Sequence, residues 1–177
     1  MKIVVLADTH WRPGGKRDLP PAVYEALAAA GAVLHAGDVV TAPLLDELRG
    51  YAPLSAVLGN NDADLVGRLP QVCTTELGGV RIGMIHDSGI GKGRAARLLR
   101  RFPDCAVVVF GHSHVPVNEL GAGGQRLFNP GSATYPRSQP RPTFGVLDCA
   151  GGELRSAEIV AVGAVGAVGA VRAVGAV

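Results

Sequence analysis

The sequence predicts an α/β fold in which two β-sheets pack face to face with helices outside them. Two observations carry this. Apolar, β-branched runs alternate with helical patterns over the first two-thirds of the chain, which implies βαβ units around a mainly parallel sheet. The remainder reads instead as antiparallel hairpins. The length of 177 residues fits one compact domain, and a hydrophobic content of 47% can build its core without a metal or disulfide.

Each element has its own signal. Lys2–Ala7 is a short apolar run that meets the carboxylate of Asp8, a strand rather than the roughly 7–15 apolar residues of a secretory segment. Pro20–Ala30 reads as a helix stopped by Gly31, and Ala32–His35 as the next strand. Ala42–Arg49 reads as a second helix, with Thr41 as N-cap and Gly50 as its stop. Leu54–Leu58 is a third strand. Val72–Leu77 and Val80–Ile85 flank Gly78-Gly79, a two-residue hairpin signal. The basic helix Gly93–Arg101 stops before Pro103, and the strand Cys105–Phe110 follows. Two further hairpins pair Val115–Leu120 with Gln125–Phe128, and Thr143–Asp148 with Glu153–Val160. Residues 161–177 repeat Ala-Val-Gly around Arg172, with a period of three that suits neither strand nor helix. The expected organisation is a domain over 1–160 and a low-complexity tail over 161–177 that briefly continues the last strand. The tail falls short of the roughly 20 residues of a membrane helix.

Composition narrows the function. Lys+Arg 17 against Asp+Glu 15 gives a net charge of +2, which argues against a polybasic nucleic-acid binder, and 5% aromatics leave few stacking platforms. The three cysteines (Cys73, Cys105, Cys149) form no CxxC pair. A disulfide scaffold and a thiolate zinc site are therefore disfavoured, and a reducing cytoplasm fits.

The polar residues that end the apolar runs are the informative ones. The first run ends in Asp8-Thr9-His10, the second in His35-Ala36-Gly37-Asp38 and the third in Gly59-Asn60-Asn61-Asp62. Two later runs end in His86-Asp87 and Gly111-His112-Ser113-His114. Taken alone, the first three read as ordinary turns and His86 as a structural histidine, while Gly111-His112-Ser113-His114 reads as readily as a metal motif. In α/β sheets, however, ligands gather at the carboxyl ends of strands, so the five endings can converge on one site. Asp oxygens, imidazole nitrogens and an Asn carbonyl suit divalent metals of borderline softness. Asp8, His10, Asp38, Asn60, His86, His112 and His114 are too many for one tetrahedral ion, and enough for two if a carboxylate is shared. Gly37, Gly59 and Gly111 precede ligands where tight turns and close backbone approach are needed.

In their order and spacing, Asp8-x-His10, Gly37-Asp38, Gly59-Asn60-x-Asp62, His86 and Gly111-His112-x-His114 resemble the motif set of the calcineurin-like metallophosphoesterases. The short length and Asn129-Pro130-Gly131-Ser132 are similar to its small bacterial and archaeal phosphodiesterase branch, which includes retromer-subunit relatives. The resemblance implies a four-layer αββα sandwich of two mixed sheets. It also implies Asp8, His10 and His114 on one ion, Asn60, His86 and His112 on the other, and Asp38 between them. Mn²⁺ is the first expectation for both ions, with Fe, Zn²⁺ or Ni²⁺ as alternatives. Two such ions about 3.5–4 Å apart activate a bridging water to hydroxide for in-line attack on phosphorus.

The expected function is hydrolysis of a small phosphodiester. The alternatives are a phosphomonoesterase or nucleotidase and, in another class, a non-catalytic retromer-subunit-like scaffold. Departures from the family pattern qualify this. Asn61 stands where many relatives have a His able to protonate the leaving oxygen, so good leaving groups are expected to be preferred. Asp87 replaces a frequent Gly, and Trp11-Arg12 follow the first motif where a small residue is common. Arg12 is a candidate for substrate phosphate or a solvated loop residue. His35 orients a ligand or is a buried structural histidine, and Asp62 anchors the Asn60 loop. Arg137 and Arg141 are the candidates for contacts beyond the phosphate. Ser113 and Ser132 read as hydrogen-bonders within loops. Gly89–Gly93 reads as a flexible connector and the arginines of the following helix as a solvated face.

Overall fold

The computed structural model describes residues 1–163 and the backbone of 168–171. One sheet contains β1 (Lys2–Leu6), β2 (Ala32–His35), β3 (Leu54–Ala56), β9 (Thr143–Ala150), β10 (Glu153–Val162) and β11 (Val168–Val171). Its order is β11-β10-β9-β1-β2-β3, with β1, β2 and β3 parallel and the others antiparallel. The other sheet contains β4 (Val72–Leu77), β5 (Val80–Ile85), β6 (Val107–Val109), β7 (Val117–Leu120) and β8 (Arg126–Asn129), in the order β4-β5-β6-β8-β7. There β5, β6 and β8 are parallel, and β4 and β7 are antiparallel edges. Three helices complete the fold: α1 (Pro21–Ala28), α2 (Ala42–Tyr51) and α3 (Arg94–Arg101).

Alternation along the strands builds four layers. Ile3 and Val5 of β1 point into a core shared with Ile82, Met84, Val107 and Phe128 of the second sheet, which packs the sheets face to face. Val4 and Leu6 point the other way, against Val23 and Leu27 of α1 and Leu44, Leu45 and Leu48 of α2. On the far side, Leu98 of α3 and Phe102 cover Val108, Phe110 and Leu127. The αββα arrangement and the two mixed sheets are as the sequence predicts.

Several boundaries differ. Gly50 lies within α2 rather than ending it, and Thr41 caps no helix N–H with its side chain, facing the Trp11 carbonyl instead at 3.4 Å. Pro43 in the first turn removes one of the donors a cap would serve. The Cys105–Phe110 run is paired as a strand only over Val107–Val109. The connector before α3 is pinned, because the Arg97 guanidinium donates to the carbonyls of Lys92 (2.8 Å), Ser88 (3.1 Å) and Ile90. At the C-terminal end β10 continues to Val162, and β11 pairs antiparallel with it. The remainder of the expected tail, 164–167 and 172–177, lies outside the described residues. No described helix is long and apolar enough to cross a membrane.

Candidate metal centre

The parallel strands of both sheets end at the same edge of the sandwich, and their outgoing loops are laced together. Asp8 N donates to Gly37 O, His10 N to Asp38 O and Gly111 N to His86 O, each at 2.9 Å. The loops turn sharply. Asp8, His10, Asp38, His112 and His114 have φ values of 53°, 45°, 57°, 69° and 58°, in the left-handed region that side-chain-bearing residues seldom occupy. Such backbone costs on the order of 1–3 kcal/mol per residue and concentrates at functional sites. Glycine is required where loops press on side chains: a Cβ on Gly59 would lie 2.1 Å from Asp38 Oδ1, and one on Gly37 2.6 Å from His86 Nδ1.

All seven candidate ligands meet there. Asp38 Oδ2 lies 3.5 Å from His10 Nε2 and 3.6 Å from His86 Nε2, midway between the two groups of ligands. On one side His10 Nε2 and His114 Nε2 are 3.3 Å apart, and His114 Nε2 is 3.6 Å from Asp8 Oδ1. On the other, Asn60 Oδ1 lies 3.0 Å from His86 Nε2 and 2.9 Å from His112 Nδ1. Asp8, Asp38, His86 and His114 form a buried floor, while Asn60 and His112 are exposed at the rim. Two overlapping sets, Asp8-His10-His114 and Asp8-Asp38-His86, each bring one ligand atom per residue within 4.8 Å of the others.

Backbone carbonyls decide the protonation of two histidines. His86 Nδ1 donates to Ala36 O at 2.7 Å and His114 Nδ1 to Tyr135 O at 2.5 Å, because a carbonyl can only accept. In the neutral imidazole, Nε2 of each then presents a lone pair to the centre. His86 Nε2 then faces Asn60 Oδ1, acceptor against acceptor at 3.0 Å, and Asp8 Oδ2 is buried without a hydrogen-bond partner among the described residues. Opposed lone pairs and an orphaned carboxylate oxygen fit a cation between them, and the all-N/O donor set suits a divalent one.

The electrostatics agree. Burial, then the nearby Asp38 charge, pushes the Asp8 carboxyl up to about 8. Burial also raises Asp38. The hydrogen bonds from Asn61 N (2.8 Å) and Nδ2 (2.7 Å), together with His86 and His10, outweigh that and hold it below the usual carboxylate range. Burial lowers His10, and lowers His114 to about 4, which keeps both imidazoles neutral and available as ligands.

The supporting residues are placed as follows. The Asp62 carboxylate accepts from Gly59 N (2.7 Å), Asp38 N (2.9 Å) and Val40 N (2.6 Å), tying two ligand loops together. His35 is fully buried and contacts Thr9 Oγ1 at 3.0 Å, and that hydroxyl faces the Asp38 carbonyl. The Asn61 amide is taken up by Asp38 rather than turned towards the cleft. Arg12 is exposed in a cavity beside His10, whereas Trp11 packs against the core under α1 and α2. Ser132 Oγ donates to Asp8 O at 2.8 Å, and Ser113 Oγ accepts from Val115 N at 3.2 Å. Arg137 lies 6.0 Å from the Tyr135 ring and its charge reaches Asp8, while Arg141 is exposed in the same loop. Sequence reasoning missed Tyr135 and Arg17. The Tyr135 ring stands edge-on to His114 and His10, and the Arg17 guanidinium lies 4.0 Å over it.

Residues 1–152 match the family model of the calcineurin-like phosphoesterase superfamily domain. The chain belongs to that superfamily. A probable metallophosphoesterase of Methanothermobacter thermautotrophicus is 35% identical over 167 residues, 93% of this calcineurin-like chain and 94% of that one. A probable metallophosphoesterase of Methanocaldococcus jannaschii is 34% identical over 140 residues, covering 77% and 70%. Among solved structures, Vps29 of Entamoeba histolytica complexed with Zn²⁺ has a TM-score of 0.78 at 24% identity, covering 96% of this chain and 97% of that one. A Thermotoga maritima protein solved by NMR has a TM-score of 0.69 at 30% identity, covering 91% and 99%. This calcineurin-like chain thus shares its fold with the Vps29 structures and its family with metallophosphoesterases.

Proposed function

We propose that the protein is a dinuclear-metal phosphoesterase acting on small phosphodiesters. Asp8, His10 and His114 would hold one ion, Asn60, His86 and His112 the other, and Asp38 would serve both. The observation that carries this is the lone-pair opposition of His86 Nε2 and Asn60 Oδ1 at 3.0 Å, with the His86 proton held on Nδ1. Divalent ions at such a site lower the pKa of bound water towards neutrality and offset charge on phosphate oxygens. Mn²⁺ is our first choice of ion, with Fe, Zn²⁺ and Ni²⁺ as alternatives that the oxygen and imidazole donors also suit. The Zn²⁺ complex of the Entamoeba Vps29 supports divalent binding by this fold. Three free thiols, Cys73, Cys105 and Cys149, support a cytoplasmic location.

The chain's own residues position the reactants. Asn61 holds both Asp38 oxygens and Asp62 fixes the loops carrying Asp38 and Asn60, so the shared carboxylate cannot swing away. The residue beside Asn60 is an amide, which transfers no proton to a leaving oxygen. Esters whose leaving group departs as a stable anion are therefore favoured.

The test is hydrolysis of an aryl phosphodiester, an aryl phosphomonoester and an alkyl phosphomonoester by Mn²⁺-loaded protein. The aryl diester should turn over fastest. Asp38→Ala should lose on the order of 10³-fold in kcat/KM, together with bound metal measured by mass spectrometry. A faster monoester would replace this reading with a phosphomonoesterase or nucleotidase. A protein that binds metal and hydrolyses none of the three would be a scaffold.

A further inference from the structure

We propose, resting on that reading of the metal centre, that the substrate carries a second phosphate, seated beside His10 against Arg12, Lys16 and Arg17. These three cations, with His10 and Gly15, line a cavity of about 240 Å³ that contains no carboxylate. Among the described residues none of the three forms an ion pair within 4.0 Å, which leaves their donors available to an anion.

The arrangement is built rather than a loose basic loop. Gly15 N donates to Arg12 O at 2.9 Å, closing a turn that curls the loop, and a Cβ on Gly15 would strike that same oxygen at 2.9 Å. Arg17 is half-buried, and its guanidinium stacks 4.0 Å over the Tyr135 ring, which in turn stands 6.0 Å from the His10 ring. A planar guanidinium held in this way recognises phosphate through paired hydrogen bonds.

Size discriminates between ligands. Pockets for drug-sized molecules occupy roughly 300–1,000 Å³. The His10 cavity falls below that range, so it takes a small anionic group rather than a nucleoside. The opposite flank, about 380 Å³ beside Asn60, His86 and His112, is walled by Leu58, Val66, Val72 and Ile85 together with Gln71, Asp87 and Arg101, and has room for a bulkier arm of mixed polarity. The substrate class is thus a diphosphate ester with its reacting phosphate between the two flanks.

Calorimetric titration at saturating free Mn²⁺ tests this, with inorganic phosphate and methylenediphosphonate as probes. Lys16→Gln/Arg17→Gln should weaken methylenediphosphonate by about tenfold or more. It should leave inorganic phosphate binding within about twofold. Lys16→Gln alone, which leaves the Tyr135 stack in place, should shift the same anion in the same direction. Equal weakening of both probes, or no change in either, would overturn the proposal. Binding is read without turnover, so the two readings fail separately. Selective diphosphonate binding without hydrolysis counts against the catalytic reading alone, and hydrolysis without selectivity counts against this one alone.

Discussion

At the scale of single residues, two buried titratable groups set the pH behaviour. Burial, then the His86 charge, depresses the fully buried His35 from 6.5 to about 3. The folded state therefore favours neutral His35. The stability this confers is complete above about pH 6.5 and is lost as the pH falls towards 3, by up to about 1.4 kcal/mol per pH unit. His114 and His10 are lowered too and titrate on the same limb, so the contrast must come from a variant. In urea denaturation of metal-free protein between pH 4.5 and 7.5, His35→Asn should show a shallower acid limb than the parent. Parallel limbs would mean that His35 charges freely in the folded state. Asp8 shifts the opposite way, to about 8, so at pH 7 the metal-free protein holds it mostly protonated. Metal binding needs the carboxylate. Calorimetry in two buffers of different ionisation enthalpy should therefore show about one proton released per Asp8 site at pH 7. Affinity should rise up to about tenfold per pH unit below 8. Metal uptake without proton release would show that the Asp8 carboxyl is already ionised in the metal-free protein or takes no part in binding.

At the scale of elements, glycines separate structural punctuation from site construction. Gly50 was read as a helix stop but lies within α2, and a Cβ there meets nothing within 4 Å. Gly50→Ala should therefore stabilise the protein by about 0.5–1 kcal/mol, seen as a shifted denaturation midpoint. Gly37 differs: its φ is +88° and a Cβ would press on His86 Nδ1. Gly37→Ala should displace His86 from the Ala36 carbonyl, weakening metal binding by more than about tenfold. Metal affinity equal to the parent's would show that the loop adapts freely. The same contrast explains what was legible in the sequence. β4 and β5 are found at the predicted residues because Gly78-Gly79 with positive φ marks their turn unambiguously. The end of α2 was not legible, since a glycine inside a helix and one after it look alike until the surrounding space is known. The seven candidate ligand positions were legible because all fall in the loops that leave the C-terminal ends of β1, β2, β3, β5 and β6. Tyr135 and Arg17 were not, because no periodicity links two loops that only the tertiary fold brings together.

At the scale of the molecule, the centre is a joint between two sheets that otherwise meet through an apolar core. β1, β2 and β3 of one sheet deliver Asp8, His10, Asp38 and Asn60, while β5 and β6 of the other deliver His86, His112 and His114. Ile3, Val5, Leu34, Ile82, Met84 and Val109 hold the sheets together without specifying anything at their ends. Five left-handed, side-chain-bearing residues at those ends oppose folding locally, and no apolar contact can offset them there. On the proposed reading, ions joined through Asp38 would draw on both sheets at once, so that their binding energy would be felt by the whole fold. Hydrogen exchange provides the test. Saturating Mn²⁺ should slow exchange together at Asp8–His10 and Gly37–Asp38 of the first sheet and at Gly111–His114 of the second. Thermal unfolding should rise as a single transition. Asp38→Ala should abolish the joint protection while keeping the inter-sheet core as slow to exchange as in the parent. Protection confined to one sheet would mean that the ligands act as two separate mononuclear sites, and the shared role of Asp38 would fall.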